Sequence, residues 1–120
     1  HTDDWITDSR LFFRSAALAM RAGMSRQGAL ESLTLAGAEM MDLQDRVGSL
    51  TPGKDADFIV LSGDPFSVYT RIEQTWVEGE KVFDLSDPED QLFAEGGYGA
   101  GEDISPYFCC YDHLMKKESN

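Results

Sequence analysis

The sequence opens on His1-Thr2-Asp3-Asp4, an imidazole beside two carboxylates. A carboxylate is a hard oxygen donor to a metal ion and a competent base at neutral pH, so these positions can carry hydrolytic chemistry. By residue type alone, Asp3 and Asp4 read equally as solvated loop residues or helix caps. Arg10, in Thr7-Asp8-Ser9-Arg10, can grip a substrate carboxylate through two parallel hydrogen bonds, or stand as an exposed helix residue or one half of a structural ion pair. Lys54, Asp55 and Asp57 are charged and close together, but they lie in a turn. Cys109-Cys110-x-x-His113 lacks the C-x-x-C spacing of structural zinc and has no second pair. Tyr98, Tyr107, Phe108 and Tyr111 sit among acidic residues and read as packing groups rather than a stacking platform.

The elements that position these residues follow from spacing. Asp8 or Ser9 as N-cap and Gly23 as stop predict a helix over 10–22, with Leu11, Ser15, Leu18 and Ala22 on one stripe and Phe12, Ala16 and Ala19 beside it. Ser25 caps a second predicted helix over 26–41, whose apolar face carries Ala29, Leu30, Leu33, Ala36, Gly37 and Met40. Small residues at 36–38 predict a close approach to a neighbour. Thr51-Pro52-Gly53-Lys54 is a tight turn, because Pro52 fixes φ and Gly53 accepts positive φ. Phe58-Ile59-Val60-Leu61, closed by Ser62-Gly63-Asp64-Pro65, reads as a buried strand. A helical turn is expected over 66–71, then strands over 72–77 and 81–83 in a hairpin around Glu78-Gly79-Glu80. Asp87-Pro88-Glu89-Asp90 starts a short helix at best, and Gly96–Gly101 reads as irregular.

The 120 residues carry a net charge of −12. Residues 1–83 hold 13 acidic and 8 basic side chains, and residues 84–120 hold 9 and 2. That balance argues against nucleic acid as a partner, since phosphate binding needs clustered Lys and Arg. No apolar run approaches a membrane span. The compartment stays unknown, with the cytoplasm preferred to the periplasm, because two adjacent cysteines say little about redox environment and a signal preceding His1 would not be visible.

Taken together, R-V-G-S-L-T-P-G-K-D-A-D-F-I-V-L over 46–61, the A-L-x-x-x-T-x-x-x-A spacing from Ala29 to Ala38, and Trp76-Val77-Glu78-Gly79-Glu80-Lys81-Val82 resemble the C-terminal end of amidohydrolase-superfamily enzymes. The likeness runs from Thr2 to about Phe83 and points to the imidazolonepropionase-related branch. It implies an α+β piece: the last helical part of a (β/α)8 barrel over 1–44, the C-terminal strands of a small composite β-domain over 45–84, and an acidic, Gly-rich tail over 85–120. A barrel alone needs roughly 250 residues, so the chain is expected to be the C-terminal part of a longer protein.

The resemblance places Asp3 at the end of the eighth barrel strand, as metal ligand or neighbour and as the base that takes a proton from the attacking water. It makes His1 no ligand, since the family's metal histidines lie on earlier strands, and makes Lys54, Asp55 and Asp57 a structural turn, with Asp57 bonding backbone amides. It implies one or two divalent ions, zinc first, held mostly by residues outside this sequence, and a small amide, cyclic amide or short-peptide substrate whose C–N bond is hydrolysed. Arg10 is the substrate-contact candidate. The piece alone is expected to be inactive, to bind zinc weakly and to self-associate as a homo-oligomer, because its apolar faces lack their barrel. The alternative is a non-catalytic α+β module used for assembly.

Overall fold

The computed structural model describes residues 11–96. It is a small α+β arrangement in which helices α1 (Phe12–Arg21), α2 (Arg26–Ser32) and α3 (Leu35–Met40) precede strands β1 (Phe58–Leu61), β2 (Ile72–Val77) and β3 (Glu80–Asp84), and α4 (Pro88–Glu95) follows.

Helix α1 ends as its glycine predicts. Gly23 adopts φ +108°, and the Gly23 and Met24 amides donate to Met20 O and Ala19 O at 3.0 Å each, satisfying two carbonyls that have no partner inside the helix. Its covered face differs from the predicted stripe. Ala16 is buried, with Phe12, Phe13 and Met20 half-buried around it, while Leu11, Ser15, Leu18 and Ala22 are exposed. The small side chain of Ala16 lets α2 come close, and Ala29 of α2 is 0% exposed at that packing. Leu11 and Leu18 are 38% and 52% exposed.

The helix predicted over 26–41 is two helices. Ser25 caps the first, its Oγ accepting from Gly28 N at 3.0 Å. The break follows from hydroxyls. Ser32 Oγ donates to Ala29 O at 2.7 Å and Thr34 Oγ1 to Leu30 O at 2.9 Å, competing with the backbone for the carbonyls of the last turn. Thr34 then sits at φ −135°, ψ −92°, outside helical space. Helix α3 closes on Asp42, at φ 55°, with Asp42 N donating to Glu39 O at 3.2 Å and Leu43 N to Ala38 O at 2.8 Å. Aspartate is one of the few non-glycine residues that tolerate this conformation.

The sheet is an antiparallel meander in the order β1-β2-β3. Phe58 pairs with Trp76, and their rings stack at 5.5 Å. Glu78 and Gly79, at φ 51° and 82°, form a two-residue turn of the type whose twist matches the strands it joins. The strand expected to be buried at 58–61 is only half-covered, and Ile59 is 38% exposed. A strand reads as buried when both sheet faces are packed. Among the described residues only α4 packs on the sheet, against β3. The expected helical turn over 66–71 is a pair of linked turns instead. Asp64 Oδ1 accepts from Phe66 N at 2.9 Å, and Thr70 Oγ1 donates back to Asp64 O at 2.6 Å. These bonds take the carbonyl and carboxylate into a loop closure rather than a helix start.

Candidate functional site

Asp3 and Arg10, the two residues to which the sequence assigns chemistry, lie outside the described residues, as do His1, Asp4, Cys109, Cys110 and His113. Among the described residues no three His, Cys, Asp or Glu side chains gather as a metal-binding group, and no helix is long and apolar enough to cross a membrane. The described residues therefore do not by themselves form a metal centre.

What they do form is the crossing from helices to sheet, residues 44–57, and four of its charged residues, Arg46, Lys54, Asp55 and Asp57, are spent on structure. Lys54 Nζ donates to the Gln44 carbonyl, to Ser49 Oγ at 2.7 Å and to Val47 O at 3.5 Å. An ammonium has three donors, and all three are directed into the turn that carries the lysine. Arg46 Nη2 meets Asp55 Oδ2 at 2.7 Å, and Asp55 N donates to Arg46 O at 2.8 Å, closing the same loop from its outer side. Asp57 Oδ1 accepts from Glu78 N at 2.8 Å, and Gly79 N donates to Ala56 O at 3.1 Å, so the β2–β3 turn is anchored on the segment that enters β1. This is the backbone role expected of Asp57.

Gly48 sets the position of the crossing against the helices. It takes φ +86°, and a Cβ placed on it would lie 2.8 Å from Ala38 Cβ and 3.0 Å from Leu35 Cα. The small residues at 36–38 thus make the predicted close approach, with this turn as the neighbour.

Two concavities lie on the sheet side. An open groove of ≈ 870 Å³ is lined by Phe13, Ile72, Thr75, Val82, Phe83 and Phe93 among others. The charged groups on its lining, Arg71 and Glu95, are paired with each other at 2.6 Å. Its lining is mainly apolar, with the Thr70 and Thr75 hydroxyls beside that ion pair. A smaller hollow of ≈ 410 Å³ is lined by Lys81, Asp84, Ser86, Asp87 and Asp90. Asp84 is held well below the usual carboxylate range, chiefly by Lys81 Nζ at 2.5 Å and then by the Ser86 hydroxyl and amide. A carboxylate so stabilised in its charged form is a poor proton acceptor. Asp90 Oδ2 accepts from Asp84 N at 2.8 Å, fastening α4, which begins where an acidic tail was expected, to the end of β3.

The sequence reading missed one cluster. Arg26, the first residue of α2, pairs with Asp64 at 2.9 Å and lies over the Phe66 ring at 5.1 Å. The only sequence signal was the turn at Asp64-Pro65, which carries no information about a residue 38 positions earlier.

Comparison with known proteins agrees with this geometry. The chain is 37% identical over 95 residues to adenine deaminase 2 of Shouchella clausii, covering 75% of this chain and 16% of that protein. It is 30% identical over 83 residues to amidohydrolase tasK of Hapsidospora irregularis, covering 69% of this chain and 8% of that one. The fold matches the crystal structure of an amidohydrolase from Thermotoga maritima with a TM-score of 0.60 and 40% identity, over 62% of this chain and 19% of that one. The chain thus spans less than a fifth of the length of each of these relatives. Residues 3–83, which hold every element from α1 to the body of β3, match the Amidohydrolase family, and the chain belongs to it.

Proposed function

We propose that this chain serves as the C-terminal portion of a hydrolase that cleaves a C–N bond in a small amide or cyclic amide, and that Asp3 is its catalytic base. The observation that carries the reading is the family match over residues 3–83, which begins at Asp3. The small share of each relative that the chain covers supports placing the remaining catalytic groups in sequence outside it. In this reading residues 1–44 close the barrel and residues 45–84 belong to the small β-domain.

Asp3 suits a divalent ion, zinc first, because its carboxylate is a hard oxygen donor, but one carboxylate cannot hold the ion alone. When bound, one or two such ions would lower the pKa of a water and polarise the scissile carbonyl. Asp3 accepts the proton of the attacking water and returns it to the departing nitrogen, so that nitrogen leaves as a neutral amine. Arg10, seven residues on, is the group proposed to hold a substrate carboxylate. The turn from Arg46 to Asp57 takes no part in the chemistry. Its task is to fix where the chain leaves the helices.

Two substrate classes follow from different observations. The wording of residues 46–61 supports the imidazolonepropionase-related branch and hence a cyclic amide or a short peptide. The identity to an adenine deaminase over 75% of this chain supports an exocyclic amine on a heteroaromatic ring. Ammonia release by the full-length protein separates them. Release from adenine supports the second class; ring opening without ammonia, followed by the loss of amide absorbance, supports the first. In either case chelation is expected to abolish turnover and zinc to restore it. Activity on neither class at micromolar enzyme, with zinc supplied, would overturn the hydrolase reading in favour of an assembly module.

A further inference from the structure

The helices and the sheet of the described residues are joined by the crossing at 44–57 and, across space, by one polar contact. Residues 12–43 make no other hydrogen bond or ion pair with residues 58–95 among those described. That contact is built in two parts. Arg26 Nη1 reaches Asp64 Oδ2 at 2.9 Å, and the guanidinium carbon stands 5.1 Å from the centre of the Phe66 ring. Both receiving groups are held in place beforehand. Asp64 Oδ1 accepts from Phe66 N at 2.9 Å, which fixes the carboxylate and ring relative to each other. Ser67 N donates to Asp64 O at 3.0 Å, Arg71 N to Ser62 Oγ at 2.9 Å and Ser62 N to Arg71 O at 3.0 Å, so the loop is closed at its base. The donor side is fixed as well, because Arg26 is the first residue after the Ser25 cap.

The geometry points to Arg26 as a positioning residue: a planar cation that locks the β1–β2 loop onto the first turn of α2 and so couples the sheet to the helices. The inference does not depend on the proposed hydrolase activity. It requires arginine in particular. A flat guanidinium can donate along its edge to a carboxylate while its face covers an aromatic ring, and a lysine ammonium cannot do both. Both charged side chains are about half exposed, at 57% and 49%, so the ion pair alone contributes little and the stack must supply the rest. The loop held in this way presents Val68 and Tyr69, each 89% exposed, at a fixed place relative to α2.

Amide hydrogen exchange on the full-length protein tests the joint, because it reads each side separately. In Arg26→Met, exchange in residues 62–71 is expected to rise about threefold to tenfold, the effect of losing a weak ion pair and a cation–π contact. In Asp64→Asn, which keeps an acceptor for Phe66 N, exchange in the first turn of α2 is expected to rise about twofold to threefold although the substitution lies on the other element. Arg26→Lys should recover the Asp64-dependent part only. At 1 M salt the wild type should approach Arg26→Lys in reverse, losing the charge pair and keeping the stack. The double variant Arg26→Met/Asp64→Asn should be no looser than Arg26→Met. If each variant loosens only its own element, or if Arg26→Met leaves residues 62–71 at wild-type exchange, the joint is refuted.

Discussion

Residues 12–40 and residues 44–84 are closed in opposite ways. In the helices the backbone ends are satisfied but the side chains are not. Ala16, Ala29 and Ala38 are the buried apolar residues among those described, while Leu18 is 52% exposed, Leu30 46% and Met40 81%. In the crossing and sheet apolar side chains are exposed as well, Leu50 at 76% and Val82 at 56%, but polar groups do the closing: Lys54 into its own turn, Arg46 on Asp55, Asp57 on the β2–β3 turn. Local hydrogen bonds can define the second region without a neighbour. Defining the first needs something to cover its leucines and methionines. The difference teaches where each half takes its information from, and it can be broken or sharpened by experiment.

The largest expected effect concerns the uncovered faces. Made alone, residues 1–120 are expected to associate, since apolar surface of this kind recruits another chain. Covering 800 Å² of it corresponds to very roughly 20 kcal/mol of transfer free energy before the large entropic costs of association. Sedimentation at low micromolar concentration should show dimers or larger species. A monomer with one cooperative thermal transition would erase the contrast between the halves.

The next effect sits at the seam. Gly48→Val puts a branched side chain where a Cβ alone would meet Ala38 at 2.8 Å and adds left-handed strain, and should cost about 2–4 kcal/mol. Gly53→Ala, with φ +95° and no atom within 4 Å of its Cβ, pays the strain alone and should cost about 1–2 kcal/mol. Urea midpoints at one fixed protein concentration compare the two. Equal losses would mean that the close approach of helix and turn does not exist.

Lys54→Met should cost about 1–3 kcal/mol, because it keeps the aliphatic stem and strips the donors from two backbone carbonyls. A smaller loss than that of Gly53→Ala would show that the polar closure of the crossing is dispensable.

The smallest effect is acid sensitivity of the sheet half. Asp64 is depressed below its ordinary 3.8 by the Phe66 amide first and Arg26 second, and Asp84 is depressed by Lys81 first. A depressed carboxyl binds fewer protons folded than unfolded. Its contribution is therefore fully present above about pH 4 and disappears as pH falls through the lower folded-state value. Asp84→Asn should flatten the loss of stability below pH 4. An unchanged acid limb would remove Asp84 from the account.

The same contrast explains what was legible in the sequence. The strands at 58–61 and 72–77 stand where β-branched runs bounded by Gly, Asp and Pro put them, and Asp57 took its expected backbone role, because these signals are local. The closure at Gly23 was readable for the same reason. The break between α2 and α3 was not. Ser32 and Thr34 are common in helices, and only their bonds to Ala29 and Leu30 show that they compete with the backbone here. The covered face of α1 was misjudged by one stripe, since helical spacing marks apolar positions but not which of them a neighbour reaches. The Arg26–Asp64 pair was invisible because it depends on tertiary distance. Asp3 and Arg10 rest on the resemblance and the family match, since they lie outside the described residues.

The central claim is that Asp3 carries the proton in a C–N bond hydrolysis. Asp3→Asn in the full-length protein tests it most directly, because the amide keeps the size of the carboxylate and cannot accept the proton. On the substrate identified by ammonia release or ring opening, kcat is expected to fall by about 10²- to 10⁴-fold with the thermal transition unchanged. A variant that folds and turns over at a near-normal kcat would contradict the assignment.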